Sequence, residues 1–387
     1  MTRPKIAIIH PRLIPGGGSE AKPMWMLETF KNDYDLYLIT MGEVDLNILN
    51  EAYGTNLKPE EIKIISFPIP MLFKRRFDAL RGYKLARFCK DNASQFDLMI
   101  STYNTMDFGK RGIQCIADFS FDDKLRRAFH PELKGLDSFI YRASPLRTFY
   151  LKLGKKLAGI SKDNWKRNLT IANSLWTEKI MKDVHGIESR VIYPPVASKF
   201  PNIPWNNREF GFISLARLVP EKRIDRVIEI LRRVRSMGWD IHFHILGRLD
   251  NSDYGAEIRK LCEKSGDWIS LEGMVIGQKK LEFIVRHKFS ISGRDSEPFG
   301  IAVVETAKAG CIVWVPNGGG QVEIVNHPSL IYDDLDDAVN KISRVLNNAA
   351  MQETLLAHLN NECRKFSTQI FQFEINDVVK NFLKHED

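Results

Sequence analysis

Glu297 and Glu305 stand eight positions apart in Ser296-Glu297-Pro298-Phe299-Gly300-Ile301-Ala302-Val303-Val304-Glu305. Two carboxylates on either side of a Pro-Phe-Gly turn suit one of two tasks. They can form an acid–base pair, as in a hydrolase, or accept hydrogen bonds from hydroxyls, as on a sugar. Arg217 and Lys222 form a second candidate pair in Arg217-Leu218-Val219-Pro220-Glu221-Lys222. Two cations at a strand-to-helix turn reach a shared anion, and the following helix N-terminus adds its amide dipole. A diphosphate suits them, because Arg offers a bidentate fork and Lys a point charge. Taken singly, each pair is also an ordinary helix carboxylate or an ordinary basic turn.

Loops with close-approaching backbone accompany these side chains. Gly247-Arg248 ends a strand-like run, and Leu271-Glu272-Gly273-Met274-Val275 offers backbone groups to a base edge. Pro316-Asn317-Gly318-Gly319-Gly320-Gln321-Val322-Glu323 lets backbone amides approach a sugar or phosphate. Near the N-terminus, Pro15-Gly16-Gly17-Gly18-Ser19-Glu20 opens a helix, with Ser19 as a candidate cap. Gly16-x-Gly18-x-x-Ala21 formally fits the dinucleotide fingerprint. Five residues, Pro11–Pro15, separate it from the strand it should follow directly, which argues against an oxidoreductase.

The elements that must position these groups alternate along the chain. Strands are expected at Lys5–His10, Leu36–Thr40, Ile62–Phe67, Leu98–Ser101, Ile113–Ala117, Thr170–Ala172 and Arg190–Tyr193, with helices at Glu20–Phe30, Phe77–Asn92 and Asn173–Val184. The rhythm restarts with strands at Gly211–Leu215, His242–Gly247, Trp268–Leu271, Phe289–Ser292 and Ile312–Val315. Helices are expected at Ile224–Ser236, Asp336–Leu346, Ala349–Phe366 and Ile370–His385. Such βαβα order predicts parallel sheets with helices on both faces. The Glu297 loop then follows a strand, and Glu305 lies about two turns into the next helix. Ligands of open parallel sheets bind outside the carboxyl ends of the strands, and clefts between domains also attract them.

At 387 residues the chain has room for two α/β domains. Pro201-Asn202-Ile203-Pro204-Trp205-Asn206-Asn207 reads as the linker between them. No apolar run reaches the roughly 18 residues that span a bilayer. The start Met1-Thr2-Arg3-Pro4-Lys5 passes directly into a strand without the core of a signal peptide, which predicts a cytoplasmic protein. The five cysteines are scattered, and no Cys-x-x-Cys pair or histidine cluster stands out as a zinc site or disulfide frame.

The net charge of +8 is uneven: residues 1–200 carry 32 basic and 22 acidic side chains, the remainder 24 and 26. Basic residues are densest at Phe73-Lys74-Arg75-Arg76-Phe77 with Arg81, Lys84, Arg87 and Lys90. A second group runs from Lys124 through Arg126, Arg127, Arg142, Arg147, Lys152, Lys155 and Lys156 to Arg167. Phe73, Phe77, Leu80, Tyr83, Leu85 and Phe88 interleave with the first. A basic amphipathic surface suits anionic lipid headgroups. Nucleic acid is the poorer fit, and a solvated basic face over an apolar core is the plain alternative.

The ordered set resembles the retaining glycosyltransferases of family 4, the glycosyl transferases group 1 with the GT-B fold. It comprises Gly17-Gly18-Ser19-Glu20, Asn173-Ser174-Leu175-Trp176-Thr177, Val191-Ile192-Tyr193-Pro194-Pro195-Val196, Arg217…Lys222, Leu246-Gly247 and Glu297-Pro298-Phe299-Gly300…Glu305. The similarity extends over nearly the whole chain and is strongest from about 170 to 325. It implies two Rossmann-like doubly wound domains facing a cleft. Residues 1–196 with 368–387 would hold the acceptor, residues 207–367 the nucleotide-sugar donor, and the last helix would cross back to the first domain.

The resemblance also implies roles. Arg217 and Lys222 hold the donor diphosphate, Glu305 accepts from the ribose hydroxyls, and Glu297 with the backbone of Phe299, Gly300 and Ile301 holds the transferred sugar. Gly17 and Gly18 face the phosphates; Gly247, Met274 and Val275 complete the donor contacts. Relatives often carry His after the strand equivalent to Ile113–Ala117, where this chain places Asp118. That residue can bind a sugar hydroxyl, assist deprotonation of the acceptor, or be structural.

No metal is expected, because fixed cations and helix N-termini stabilise the departing diphosphate. Asp33-Tyr34-Asp35 and Asp334-Leu335-Asp336 match a metal-binding Asp-x-Asp pattern but read as caps or turns. The implied reaction transfers a hexose from a nucleotide-diphosphate-sugar to a glycan or lipid-linked acceptor, in cell-envelope or surface-polysaccharide synthesis. The alternatives are a nucleotide-sugar epimerase or phosphorylase, or a non-catalytic nucleotide-sugar-binding protein.

Overall fold

The computed structural model describes residues 3–68, 78–129, 144–161, 163–197, 199–248 and 252–384. The basic segment Phe73–Phe77, Arg142 and His385 lie outside the described residues. By its internal contacts the chain divides into two units, Met1–Pro195 with Thr368–Asp387, and Val196–Ser367.

In the first unit the strands are β1 (Lys5–Ile9), β2 (Asp35–Met41), β3 (Ile62–Phe67), β4 (Leu98–Ser101), β5 (Ile113–Ile116), β6 (Leu169–Ala172) and β7 (Arg190–Val191). They form one parallel sheet in the order β3-β2-β1-β4-β5-β6-β7. The described helices are α1 (Ala21–Phe30), α2 (Leu46–Tyr53), α3 (Asp78–Asp91), α4 (Asp123–Phe129), α5 (Pro145–Leu157) and α6 (Leu175–His185). The central strands are apolar on both faces, as a sheet covered twice requires: Ile6, Ala7, Ile8 and Ile9 of β1 are all fully buried. Where helices start, the local chemistry is visible. Ser174 caps α6, its hydroxyl accepting from the Thr177 amide at 3.0 Å.

The second unit repeats the design with β8 (Glu209–Leu215), β9 (His242–Leu246), β10 (Ile269–Gly273), β11 (His287–Ile291), β12 (Ile312–Pro316) and β13 (Ile331–Tyr332). All pairs are parallel, in the order β10-β9-β8-β11-β12-β13. Its helices are α7 (Ile224–Ser236), α8 (Asp253–Ser265), α9 (Gly277–Arg286), α10 (Ile301–Lys308), α11 (Gln321–Val325), α12 (Leu335–Leu346) and α13 (Ala349–Glu362). Helix α7 buries Ile224, Val227, Ile228, Leu231 and Val234, the stripe that its spacing predicts. In each sheet the strand order reverses beside the first strand, at β1/β4 and at β8/β11. That reversal opens a crevice at the carboxyl ends, where ligands of such sheets bind.

A last helix, α14 (Thr368–Lys384), belongs to the first unit. It buries Phe371, Ile375, Val378, Val379 and Phe382 along one face. Asp377 pairs with Arg190 at 2.9 Å, and the Arg111 guanidinium lies over the Phe382 ring.

The segment Pro201–Asn207, read above as a linker, lies inside the second unit. Trp205 anchors it, meeting Phe289 edge-to-face at 5.9 Å under the Lys288 ammonium. Proline and asparagine content signalled irregular backbone; it carried no information on whether that backbone packs.

Candidate functional site

At the reversal of the second sheet, β8 and β11 deliver their following loops side by side. After β8 comes exposed Arg217, then a 3-10 turn Pro220–Lys222 that leads through Arg223 into α7. After β11 come Arg294 and Glu297. Lys222 Nζ donates to Glu297 Oε2 at 2.5 Å, and Arg294 Nη1 lies 3.4 Å from Glu297 Oε1. These side chains are 21%, 10% and 16% exposed for Lys222, Arg294 and Glu297, so water screens the group only in part. Burial alone would raise the Glu297 carboxyl; Arg294, Lys222 and Arg217 outweigh it and hold the pKa at about 2. Burial lowers the pKa of the Lys222 ammonium against the pull of Glu297. A carboxylate held ionised this firmly accepts hydrogen bonds; it does not serve as a general acid at neutral pH. Of the two tasks open to the carboxylate pair, the ionised state of Glu297 suits the accepting one.

Backbone fixes this loop. Glu297 bridges to Gly319 as an isolated parallel pair, and the Gly320 amide donates to the Glu297 carbonyl at 2.8 Å. Gly319 stands at φ +75°, and a Cβ there would meet the Glu297 carbonyl oxygen at 2.2 Å, so only glycine lets the two loops close. Gln321 ties the layers together. Its amide donates to the carbonyls of Arg294 (2.5 Å) and Gly318 (3.1 Å), and its carbonyl accepts from Ser292 Oγ (3.0 Å).

Glu305 is the fifth residue of α10, little more than one turn in rather than two, because the helix starts only after the Gly300 cap. Its Oε1 accepts from Lys280 Nζ of α9 at 2.6 Å. The Phe299 side chain is buried against Phe366, which leaves the backbone of Phe299, Gly300 and Ile301 as the part of this turn suited to a ligand. Gly247 follows β9, its amide donating to the Gly273 carbonyl at 2.8 Å; next to it, after β10, Met274 is half-exposed.

In the first unit the corresponding reversal gathers His10 after β1 and Tyr103 and Asn104 after β4, with Asp118 after the neighbouring β5. Asp118 Oδ2 accepts from the Tyr103 hydroxyl at 2.6 Å; its Oδ1 accepts from Asn104 Nδ2 at 2.7 Å and the Ser120 amide at 2.9 Å. Burial would raise this carboxyl, but the donors Tyr103, Ser120 and Asn104 hold it below the ordinary range. Asn104, in the left-handed region at φ +67°, spans the loop by accepting from the amides of Ala117 and Asp118. With that many donors in place, Asp118 is built to orient Tyr103 and Asn104 and is a weak proton acceptor.

His10 donates or accepts at Thr102 Oγ1 (2.9 Å), and burial beside Lys22 drives its pKa down to about 3, so it is neutral. Lys22 is itself buried without a hydrogen-bond partner. The Gly17 carbonyl accepts from the Tyr53 hydroxyl at 2.8 Å. Ser19 does not cap α1; its hydroxyl donates to Glu20, the residue that precedes the helix. Gly18 lies in the same loop. Of the two Asp-x-Asp matches, Asp334 caps α12 by accepting from the Asp337 amide, as read from sequence.

Arg294, Lys280, His10, Lys22 and Tyr103 had no role in the sequence reading. Arg294 carries no local motif beyond its charge. The others lack local motifs, and only the fold brings them to the strand ends.

Two doubly wound parallel units with a returning last helix define the GT-B architecture. Residues 197–365, nearly all of the second unit, match the family described as "Glycosyl transferases group 1". It is 22% identical over 242 residues to the human alpha-1,3/1,6-mannosyltransferase ALG2, a match covering 55% of this chain and 58% of that protein. This chain therefore spans little more than half the length of that relative. Among solved structures it resembles Anabaena Alr3699/HepE in complex with UDP and glucose (15% identity, 98% of this chain and 100% of that one, TM-score 0.70). It also resembles WaaG, a glycosyltransferase involved in lipopolysaccharide biosynthesis (13% identity, 96% and 99%, TM-score 0.71). At these identities the structural likeness carries the fold.

Proposed function

We propose that the protein is a retaining glycosyltransferase that moves a hexose from a nucleotide-diphosphate-sugar to a glycan or lipid-linked acceptor. The observation that carries this reading is the cluster Lys222–Glu297–Arg294, with Arg217 nearby, at the sheet reversal of a glycosyl transferases group 1 unit. Departure of the nucleoside diphosphate places negative charge on phosphate oxygens. Arg217 and Lys222 take up that charge, Lys222 from a position held by Glu297. Glu297, ionised, accepts from hydroxyls of the transferred hexose. Glu305 accepts from the ribose, and Lys280 keeps its carboxylate oriented. Cations in these roles make a metal ion at the donor unnecessary. A bound UDP and glucose in the Anabaena structure and the mannosyltransferase activity of the human relative support a nucleotide-sugar donor.

The acceptor setting rests on the first unit. Helix α5 leaves Leu146 (81%), Phe149 (65%), Leu153 (43%) and Leu157 (63%) exposed. Their spacing of three, four and four places them on one face, beside Lys152, Lys155 and Lys156. An apolar stripe rimmed by ammonium groups suits an anionic membrane surface. No helix among the described residues is long and apolar enough to cross a membrane. We therefore place the reaction at a membrane face, in envelope or surface-polysaccharide assembly, as the lipopolysaccharide role of WaaG also suggests. A thermal-shift screen across GDP-, UDP- and ADP-sugars tests the donor reading: one nucleotide series raises the Tm, and Glu305→Ala removes the shift. No shift with any series contradicts it.

A further inference from the structure

Four side chains that the reaction does not use meet at the opposite ends of the second sheet. Glu209, His242 and His287 are the first residues of β8, β9 and β11, and His244 is the third of β9. These strands are adjacent in the order β9-β8-β11. Alternation along β9 puts His242 and His244 on one face, and their rings are 5.2 Å apart. One ligating atom from each of the four residues lies within 4.8 Å of every other.

Two of the three histidines are held as metal ligands are. Ligating histidines hold their second ring nitrogen on a carbonyl or carboxylate, which fixes the tautomer. His287 Nδ1 lies 2.7 Å from the Phe283 carbonyl, and a carbonyl can only accept, so Nδ1 carries the proton. Its Nε2 is then a bare lone pair, buried without a hydrogen-bond partner in a side chain only 1% exposed. That lone pair faces Glu209 Oε2 at 3.6 Å, acceptor against acceptor. His244 Nδ1 lies 2.8 Å from Glu272 Oε1, which leaves its Nε2 to ligate. Glu209 is oriented in turn: Arg286 donates to Oε1 through Nε at 2.9 Å and approaches it through Nη2 at 2.7 Å, while Oε2 faces His242 Nε2 at 3.0 Å. Backbone makes the room. A Cβ on Gly211 would sit 2.2 Å from His242 Nε2.

We propose that Glu209, His242, His244 and His287 bind one divalent transition-metal ion, Zn2+ by the chemistry of the donors, and that it staples the leading ends of β8, β9 and β11. Three imidazoles and one carboxylate match tetrahedral zinc. Bonds of about 2.0–2.1 Å set ligand–ligand separations of roughly 3.4 Å, so the widest pair closes by roughly 1.4 Å from 4.8 Å through side-chain rotation. The role is structural. β8 runs from Glu209 to Leu215, about 20 Å at 3.3 Å per residue, which separates the ion from Arg217 and the donor loops. Arg286, half-exposed, competes for Glu209 and limits affinity.

The test is equilibrium binding of Zn2+ to the chelator-treated full chain, read by calorimetry and metal analysis, with Co2+ absorption reporting the geometry. One equivalent binds at micromolar Kd or tighter, the Tm rises by several degrees, and Co2+ gives tetrahedral bands. His244→Gln weakens binding at least about tenfold, as loss of one ligand should, and removes the bands with unchanged far-UV circular dichroism. His358→Gln retains both. His287→Gln should also lose the ion; should it fail to fold, the more exposed His244 decides. Binding below about 0.2 equivalents by the wild type at tenfold excess, or unchanged binding by His244→Gln, overturns the proposal. Transfer activity at assay temperature is unaffected by removing this ion, so failure here leaves the donor site untouched.

Discussion

Replacing Glu297 by Gln removes one charge from a cluster of three and leaves the shape. In the folded chain this carboxyl has a pKa of about 2 against an ordinary 4.5. At about 1.4 kcal/mol per unit, the linkage amounts to about 3 kcal/mol of stability at neutral pH. The side chain is only 16% exposed, so solvent screening removes a minor part. Breaking a buried pair by deleting one partner costs about 3–5 kcal/mol when both ions are fully buried, and the partial exposure here brings that into the same range. We therefore expect Glu297→Gln to lower the unfolding free energy of the second unit by about 2–3 kcal/mol at pH 7.

The sign with pH is definite. Because the folded pKa is depressed, the stabilisation is complete above about 4.5 and is lost as pH falls toward about 2. The gap between wild type and Glu297→Gln should close over that window. Urea unfolding followed by tryptophan fluorescence, at intervals from pH 7 to pH 2.5, measures it. Binding of the free nucleoside diphosphate should be no weaker in the variant, since Lys222 and Arg294 lose a competing anion, while turnover falls. A variant within about 0.5 kcal/mol of wild type at pH 7, the usual scatter of a neutral surface change, or a gap that persists unchanged to pH 2.5, refutes the reasoning.

Glu305→Ala should raise the KM for donor and change kcat less, because its carboxylate binds ribose and not the reacting centre; a pure kcat effect in steady-state kinetics refutes this. Asp118→Asn loses a charged acceptor for Tyr103 and should cost about 1–3 kcal/mol of stability, with turnover reduced through misplaced Tyr103 and Asn104; unchanged turnover with intact folding rejects any role for Asp118 in the reaction. Phe149→Glu with Leu153→Glu on α5 should abolish flotation with anionic liposomes at low salt; flotation equal to wild type, or none by the wild type, contradicts the membrane reading.

Much of the fold was legible because buried parallel strands leave apolar runs. Leu98–Ser101, buried throughout, falls where the sequence reading put it, as do the largely exposed edge strand Ile62–Phe67 and helix Ile224–Ser236, whose stripe is unambiguous. β13 was missed, since two residues, Ile331–Tyr332, make no run. At the site, Lys222 and Glu297 were found through local motifs, but their direct pairing was not, for 75 positions separate them and only the β8/β11 neighbour relation joins them. The same holds for Lys280 and Glu305. The histidine cluster was invisible for that reason: its members lie at 209, 242, 244 and 287, and the His242-x-His244 alternation was the single local signal. Arg294 carried no signal beyond its charge.

The central claim is transfer with retention from a nucleotide-sugar, by cations of the protein alone. It is tested most directly by NMR of the product formed from an α-linked nucleotide-diphosphate-hexose, identified by the donor screen, in the presence of EDTA. The account predicts an α-linked product at undiminished turnover. A β-linked product, or loss of transfer in EDTA that manganese restores, would contradict it.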